Sequence, residues 1–305
     1  MSKKKYLLSL FLALFLTAGL LAFHLSTNFA QNISPEQSIE ISPPSQELDV
    51  DPGQTITLKA KVRNKGNIPY TLTTRIEDFT AEGEGGQVSL IEQGPWAISS
   101  WSTISPSSFT LEPKSEREVQ VTVKVPEQKV GGGRYGAMVF TINGSNAPNS
   151  ASVAQEIASL FLLRVSGPVE ENINVLDFHA PSFVEFGPVP LSLRLQNSGN
   201  VHVKATGIIS IMNVLGKKVE DIVIPPTNVF PDATRVIDAS FGQKFLIGPY
   251  QAVAIVYYGS ENKSITTYTP FFAFPVKIVA GILLLIFIII LIRKYLRRSR
   301  RTTNK

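Results

Sequence analysis

The side chains able to do chemistry are few, and their types exclude much. The chain of 305 residues has no cysteine and three histidines. Without a thiol there is no thiolate nucleophile, no thiolate metal site and no lipid-modified N-terminal cysteine. His179 and His202 stand apart, and no His-Glu-x-x-His or Gly-x-Ser-x-Gly surrounds them, so histidine catalysis and a His-rich metal centre lack material. They read most simply as a loop residue and an outward strand residue. Asp49 with Asp51, or Asp78 with Glu82 and Glu84, could supply oxygen ligands to Ca²⁺. Asp78 and Glu82 would make a glycosidase pair if a groove brought them together. Solvated loop carboxylates are the simpler reading of both groups. Gly131-Gly132-Gly133 lacks the lysine and the helix of a phosphate-binding loop and reads as a loop feeding a strand from Arg134. The search for catalytic residues is empty, and neither a cofactor, a metal nor a small-molecule substrate is implied. The chain is expected not to be an enzyme.

Trp96 and Trp101 are the candidate ligand-binding residues. They are the only tryptophans and sit in a polar, turn-rich stretch from Gln93 to Ser108. Exposed there, they would stack on sugar rings or anchor a partner. The competing reading has them covering the end of a sandwich, a common use of a large amphipathic ring.

The elements that must carry these residues begin with two apolar runs. Lys3-Lys4-Lys5 followed by Tyr6–Phe23 is a secretory signal over residues 1–30, with Ala30 the best cleavage point and an uncleaved anchor the alternative. At the other end, Pro270–Ile292 is broken only by Lys277. As a helix it would cover roughly 35 Å, enough to cross a bilayer core of about 30 Å. Arg293, Lys294, Arg297, Arg298, Arg300 and Arg301 follow in a basic tail, 293–305, that meets no acidic residue. Basic residues on one flank mark the cytoplasmic side, and Lys277 can lift its ammonium to the opposite interface. The expectation is a single-pass protein of the cell membrane with its C-terminus cytoplasmic and residues 31–269 outside, in the medium or the periplasm.

That topology explains the charge. The net +5 belongs to the flanks: setting aside three N-terminal lysines and seven basic tail residues leaves 19 Lys and Arg against 24 Asp and Glu. The exported part is acidic, and nothing argues for nucleic acid.

Between the flanks the chain reads as strands. Thr55–Arg63 alternates strictly, with Ile56, Leu58, Ala60 and Val62 on one face, and Glu118–Val125 repeats the pattern with four valines. Short strands separated by Gly, Pro, Asn and Ser indicate sandwiches rather than an α/β fold. Asn64-Lys-Gly66-Asn67 and Asn197-Ser-Gly199-Asn200 follow apolar alternation at a constant offset, which reads as one hairpin turn in two copies. The fold class is therefore all-β: two tandem immunoglobulin-like antiparallel β-sandwiches, residues 31–167 and 168–269, with a signal helix before them and a transmembrane helix, 270–292, behind. Ser166-Gly167-Pro168 reads as a short hinge, and Ser264–Thr269 as the connection to the membrane.

Several first-domain features resemble a known family. Val62-Arg63-Asn64 ends a strand, Leu111-Glu-Pro-Lys leads to a strand closing on Val125-Pro126, and the glycine-led strand Gly132–Phe140 follows. With the signal, two sandwiches, one span and a basic tail, this resembles the bacterial WxL-interacting surface proteins. The resemblance implies a first domain associated with peptidoglycan and a second with host or partner proteins; it carries over the layout and no named binding residue. The functional expectation is a membrane-anchored envelope binding or adhesion protein whose partner is wall polymer or another surface protein. The alternative is an assembly or chaperone-like factor that pairs a free sheet edge with a client strand.

Overall fold

A computed structural model describes residues 38–128, 131–143 and 155–302, without the side chains of Asn143, Ile292 and 295–302. The signal segment 1–30 and the side chains of Arg297, Arg298, Arg300 and Arg301 thus lie outside the described residues. Everything from Ile39 onward belongs to one compact unit.

The first sandwich contains β1 (Ile39–Ser42), β2 (Ser45–Val50), β3 (Thr55–Asn64), β4 (Tyr70–Glu82), β5 (Gln87–Ile91), β6 (Ser102–Ser105), β7 (Ser108–Leu111), β8 (Glu116–Lys124), β9 (Gly132–Asn143) and β10 (Gln155–Val165). One sheet runs β1-β3-β8-β6; the other runs β2-β10-β9-β4-β5, with β7 also on β4. The alternation in β3 and β8 survives as burial: Leu58, Ala60, Val62, Val119, Val121 and Val123 face inward and meet Leu72, Phe140 and Leu163 from the facing sheet. Each such large side chain removed from water stabilises by about 1.5–3 kcal/mol.

The second sandwich contains β11 (Ile173–His179), β12 (Phe183–Val184), β13 (Val189–Asn197), β14 (Val203–Asn213), β15 (Lys218–Val229), β16 (Thr234–Phe241), β17 (Gly248–Tyr258) and β18 (Lys263–Ala273). Its sheets run β11-β13-β16 and β12-β18-β17-β14-β15. Strand order repeats that of the first: β1-β3-β8 corresponds to β11-β13-β16, and β2-β10-β9-β4 to β12-β18-β17-β14. Even the one parallel pairing recurs, β2 with β10 and β12 with β18.

The Asn-x-Gly-Asn copies are the same device, but not a hairpin. Each carries the chain from one sheet of its sandwich to the other, β3 to β4 and β13 to β14. Asn64 and Asn197 are wholly buried. Asn64 Oδ1 accepts from Gly66 N–H and its amide donates to the Ile68 carbonyl, each at 2.8 Å. Asn197 does the same with Gly199 and Val201, also at 2.8 Å. A short amide that caps its own loop lets the backbone cross the core edge without orphaned polar groups.

Four further expectations are corrected. Ser264–Thr269 is not a connector but the middle of β18, paired along its length with β17. Pro270–Ala273, assigned to the spanning segment 270–292, is the end of that strand, because Phe271 and Ala273 fill the second core. The helix, α1 (Val276–Thr302), starts only after Pro275. Its described apolar side chains run from Val276 to Leu291, about 24 Å of helix, and among the described residues no helix is long and apolar enough to cross a membrane. His202, expected to face outward, is buried, and His179 ends β11 rather than lying in a loop.

Candidate functional site

Trp96 and Trp101 lie between β5 and β6 and are both half-buried. A single carboxylate shapes this stretch. Asp78, buried in β4, accepts the backbone N–H of Ile98 and Ser99 at 2.7 and 2.8 Å and the Ser99 hydroxyl at 2.7 Å. Those bonds hold the 3-10 turn Ser99–Trp101 and consume the carboxylate. Asp78 is therefore corrected from a possible acid, base or calcium ligand to a structural clamp, while Glu82 faces solvent.

The clamp sets the indoles on different supports. Trp101 rests on the first core. Trp96 rests on an aromatic cluster of Phe79, Tyr135 and Phe230, and its carbonyl accepts the Tyr135 N–H at 2.9 Å. Arg134 joins them: its guanidinium carbon lies 5.3 Å from the Trp101 ring centre and 6.0 Å from that of Trp96. Burial holds this guanidinium below its ordinary pKa; contact with aromatic faces offsets part of that desolvation. The structure thus brings the two tryptophans into one Trp-Arg-Trp ladder. Arg134 was missed because cation–aromatic contacts across strands leave no spacing signature.

Beside the ladder a cleft of about 370 Å³ opens between the sandwiches. The first contributes Thr80, Glu84, Pro95 and Trp96, the second Pro231, Asp232 and Thr234. Its lining combines one aromatic ring with hydroxyls and carboxylates, groups of the kind that stack on and hydrogen-bond to polar rings.

The cleft keeps its form because the sandwiches are locked together. Glu84, at the tip of the β4–β5 hairpin, receives both Nε and an Nη of Arg194, the former at 2.9 Å, and its carbonyl accepts Val236 N–H at 2.9 Å. Tyr135 Oη accepts the His202 N–H at 2.6 Å and lies 3.2 Å from His202 Nδ1. His202 Nε2 is 2.9 Å from Glu47, which also receives Lys204 at 2.8 Å. Burial depresses the His202 pKa against the pull of Glu47. Burial pushes Glu47 up, but bonds from Lys204 and His202 outweigh it and leave the carboxyl below its ordinary value. A neutral imidazole donating from Nε2 to Glu47 and accepting at Nδ1 from the tyrosine hydroxyl satisfies this arrangement. Behind it, Arg164 meets Glu171 at 2.7 Å.

The triple glycine belongs to this junction. Gly133 N–H donates to Asn200 carbonyl at 2.7 Å, and a Cβ on Gly133 would overlap Tyr135 Oη. Gly132 has φ +111°, and a Cβ there would sit 2.7 Å from the same carbonyl. The glycines let the start of β9 in the first sandwich lie backbone to backbone against the second. Ser166-Gly167-Pro168, read as a hinge, is packed here too: a Cβ on Gly131 would come within 2.8 Å of Pro168.

Of the flank residues, Lys277 is exposed and 3.2 Å from Glu185, and Arg293 and Lys294 project from α1 into solvent. No cluster of three or more metal-ligating side chains occurs among the described residues.

Comparison with known proteins gives one family match. Residues 29–141 match the model described as WxL Interacting Protein, peptidoglycan binding domain. No curated protein matches the chain significantly by sequence. Similar solved structures include the class 5 fimbriae chaperone CfaA, at 12% identity over 76% of this chain and 98% of that one with a TM-score of 0.41. They also include the YadV chaperone, at 12% over 76% and 99% with 0.39, and the E. coli chaperone DraB, at 12% over 77% and 97% with 0.36. Likeness at that level passes no function to this chain. The family match bears out the resemblance read from the first-domain strands: residues 29–141 are similar to the peptidoglycan binding domain of the WxL-interacting proteins.

Proposed function

We propose that this protein is a non-catalytic, membrane-anchored component of the cell envelope that holds wall polymer with its first sandwich. The observation that carries the reading is the match of residues 29–141 to a peptidoglycan-binding domain. The Trp-Arg-Trp ladder and the cleft beside it supply a place with fitting chemistry, so Trp96 is assigned to stacking and Thr80, Asp232 and Thr234 to the polar rim. Both sandwiches are read as immunoglobulin-like domains outside the cytoplasm. Anchoring rests on α1, whose side chains from Ile278 to Leu291 are apolar on every face and nearly all bare. A helix apolar all round calls for a non-aqueous surrounding, and the basic run after it supports reading that end as cytoplasmic.

The assembly-factor alternative needs an open edge strand. Among the described residues β15 pairs only with β14 in its sheet, but Pro225-Pro226 falls at a register shift in that pairing. Proline and a bulge are devices that blunt an edge against added strands, so β15 is a poor template for a client strand, and the alternative would use another edge such as β6 or β16.

The test is co-sedimentation of the detergent-solubilised full chain with purified peptidoglycan. The expected result is retention that weakens in Trp96→Ala and in Thr80→Arg, the latter filling the cleft from an exposed position. No retention of the wild-type chain overturns the reading. Retention unchanged in both variants moves the site elsewhere on the domain.

A further inference from the structure

The second sandwich has two unlike ends. At one, the β17–β18 turn exposes Ser260, Glu261 and Asn262. At the other, the exposed residues are large and apolar. Val214 and Leu215, 71% and 85% exposed, form the tip of the β14–β15 hairpin, and Phe245 and Ile247, 74% and 69% exposed, lead into β17. Neither tip is slack. Asn213 Oδ1 accepts the N–H of Leu215 and of Lys217 at 3.0 and 3.1 Å, and Gly216 N–H closes on the Asn213 carbonyl at 2.9 Å. Leu246, 1% exposed, pins the second loop in the core while its two neighbours point away.

Register places both tips at the root of α1. Asn213 pairs with Tyr250, Tyr250 with Phe271, and Gly248 with Ala273. The hairpin tip therefore stands two strands, about 10 Å, from the strand end that becomes the helix. That root is tied down: Phe274 N–H donates to the Val184 carbonyl at 3.0 Å, and the exposed Phe183 and Phe272 rings stack at 6.2 Å. Lys217, Lys218, Lys244 and Lys277 lie at this end. Lys218 pairs with Asp221 and Lys277 with Glu185.

From this geometry we propose that the helix-bearing end of the second sandwich is a lipid-contacting collar. Val214, Leu215, Phe245 and Ile247 enter the headgroup–acyl boundary of the bilayer that α1 joins, and Lys217 and Lys244 meet anionic headgroups. Apolar tips beside a cationic ring form the pattern of an interfacial membrane contact. The occupant follows from continuity, because a bilayer receiving Ile278–Leu291 would begin at the strand end that lies two strands from these tips. The collar makes the sandwich a fixed pedestal rather than a tethered one. This inference rests on the anchoring proposed above.

A chain without cysteine suits single-site labelling. Leu215→Cys, Phe245→Cys and, at the polar end, Glu261→Cys are each made in the full chain. Each carries an environment-sensitive fluorophore and is reconstituted with vesicles of phosphatidylcholine and phosphatidylglycerol. Flotation reports anchoring; emission and its quenching by headgroup-level nitroxide lipid report contact. The expected result is flotation of all three, with blue-shifted, quenched emission at 215 and 245 and water-like emission at 261. Flotation with water-like emission at 215 and 245 overturns the collar and leaves anchoring intact. A blue shift without lipid quenching means that protein covers the tips, and also overturns it. A chain that does not float removes the anchor and the collar together.

Discussion

Replacing Tyr135 by Phe probes whether the junction between the sandwiches is a structural bond or a mere contact. The substitution keeps the ring and its edge-on packing against Phe230, at 5.0 Å between centres, and removes one oxygen. That oxygen is the acceptor of the His202 N–H at 2.6 Å. His202 is 4% exposed and Tyr135 1%, so water does not replace it freely. A buried donor left without a partner costs about 1–3 kcal/mol. Loss of the hydroxyl beside Nδ1 falls within the same range, since that buried acceptor then lacks its donor. The expected destabilisation is about 2 kcal/mol, which in a unit of this size lowers Tm by roughly 4–8 °C. The assay is thermal unfolding of the full chain in detergent, followed by near-ultraviolet circular dichroism, with Tyr268→Phe as a control because Tyr268 is 65% exposed. Tyr135→Ala, which also empties the aromatic cluster, should cost about 3–5 kcal/mol and split one unfolding transition into two. A Tyr135→Phe protein within about 0.5 kcal/mol of wild type would refute the reasoning, because His202 N–H would then have another partner.

Other outcomes follow from the same geometry. Asn64→Ala and Asn197→Ala each remove a buried cap that both donates and accepts, and each should lower stability by about 3 kcal/mol in urea titration; unequal effects would show that the copies are not equivalent. Gly133→Ala drives a methyl into the Tyr135 hydroxyl and should cost about 1–3 kcal/mol, read as a fall in the urea midpoint. Burial holds His202 below its ordinary value of 6.5, so in mild acid the unfolded chain takes up a proton that the folded chain refuses. Stability fully present above about pH 6.5 should fall as pH drops below it, and His202→Gln should flatten Tm across that window. Glu47, held below its ordinary 4.5, adds a separate loss below about pH 4.5 that the His202 variant keeps.

Much of the fold is legible in local pattern. Leu58, Ala60 and Val62 alternate with charged residues because one face of β3 meets a core and the other meets water, and a period of two reports that directly. The recurrence of Asn64 and Asn197 signals duplication because each asparagine caps its own loop within a few residues. What such a loop connects is not local: hairpin and sheet-to-sheet crossing share the same turn residues, and only strand pairing separates them. Pro270–Ala273 reads as apolar whether it lines a core or a membrane, and tertiary pairing with β17 decides for the core.

Amino-acid types alone thus determined the all-β class, the two sandwiches and the apolar run that became α1, because composition and short-range periodicity carry that information. Tertiary structure alone decided that Asp78 is a clamp, that Arg134 joins Trp96 to Trp101, that His202 is buried and that three glycines seat one sandwich on the other. Each of these depends on side chains or backbones from strands far apart in sequence, where burial and hydrogen-bond partners are set by strand pairing rather than by neighbours in the chain.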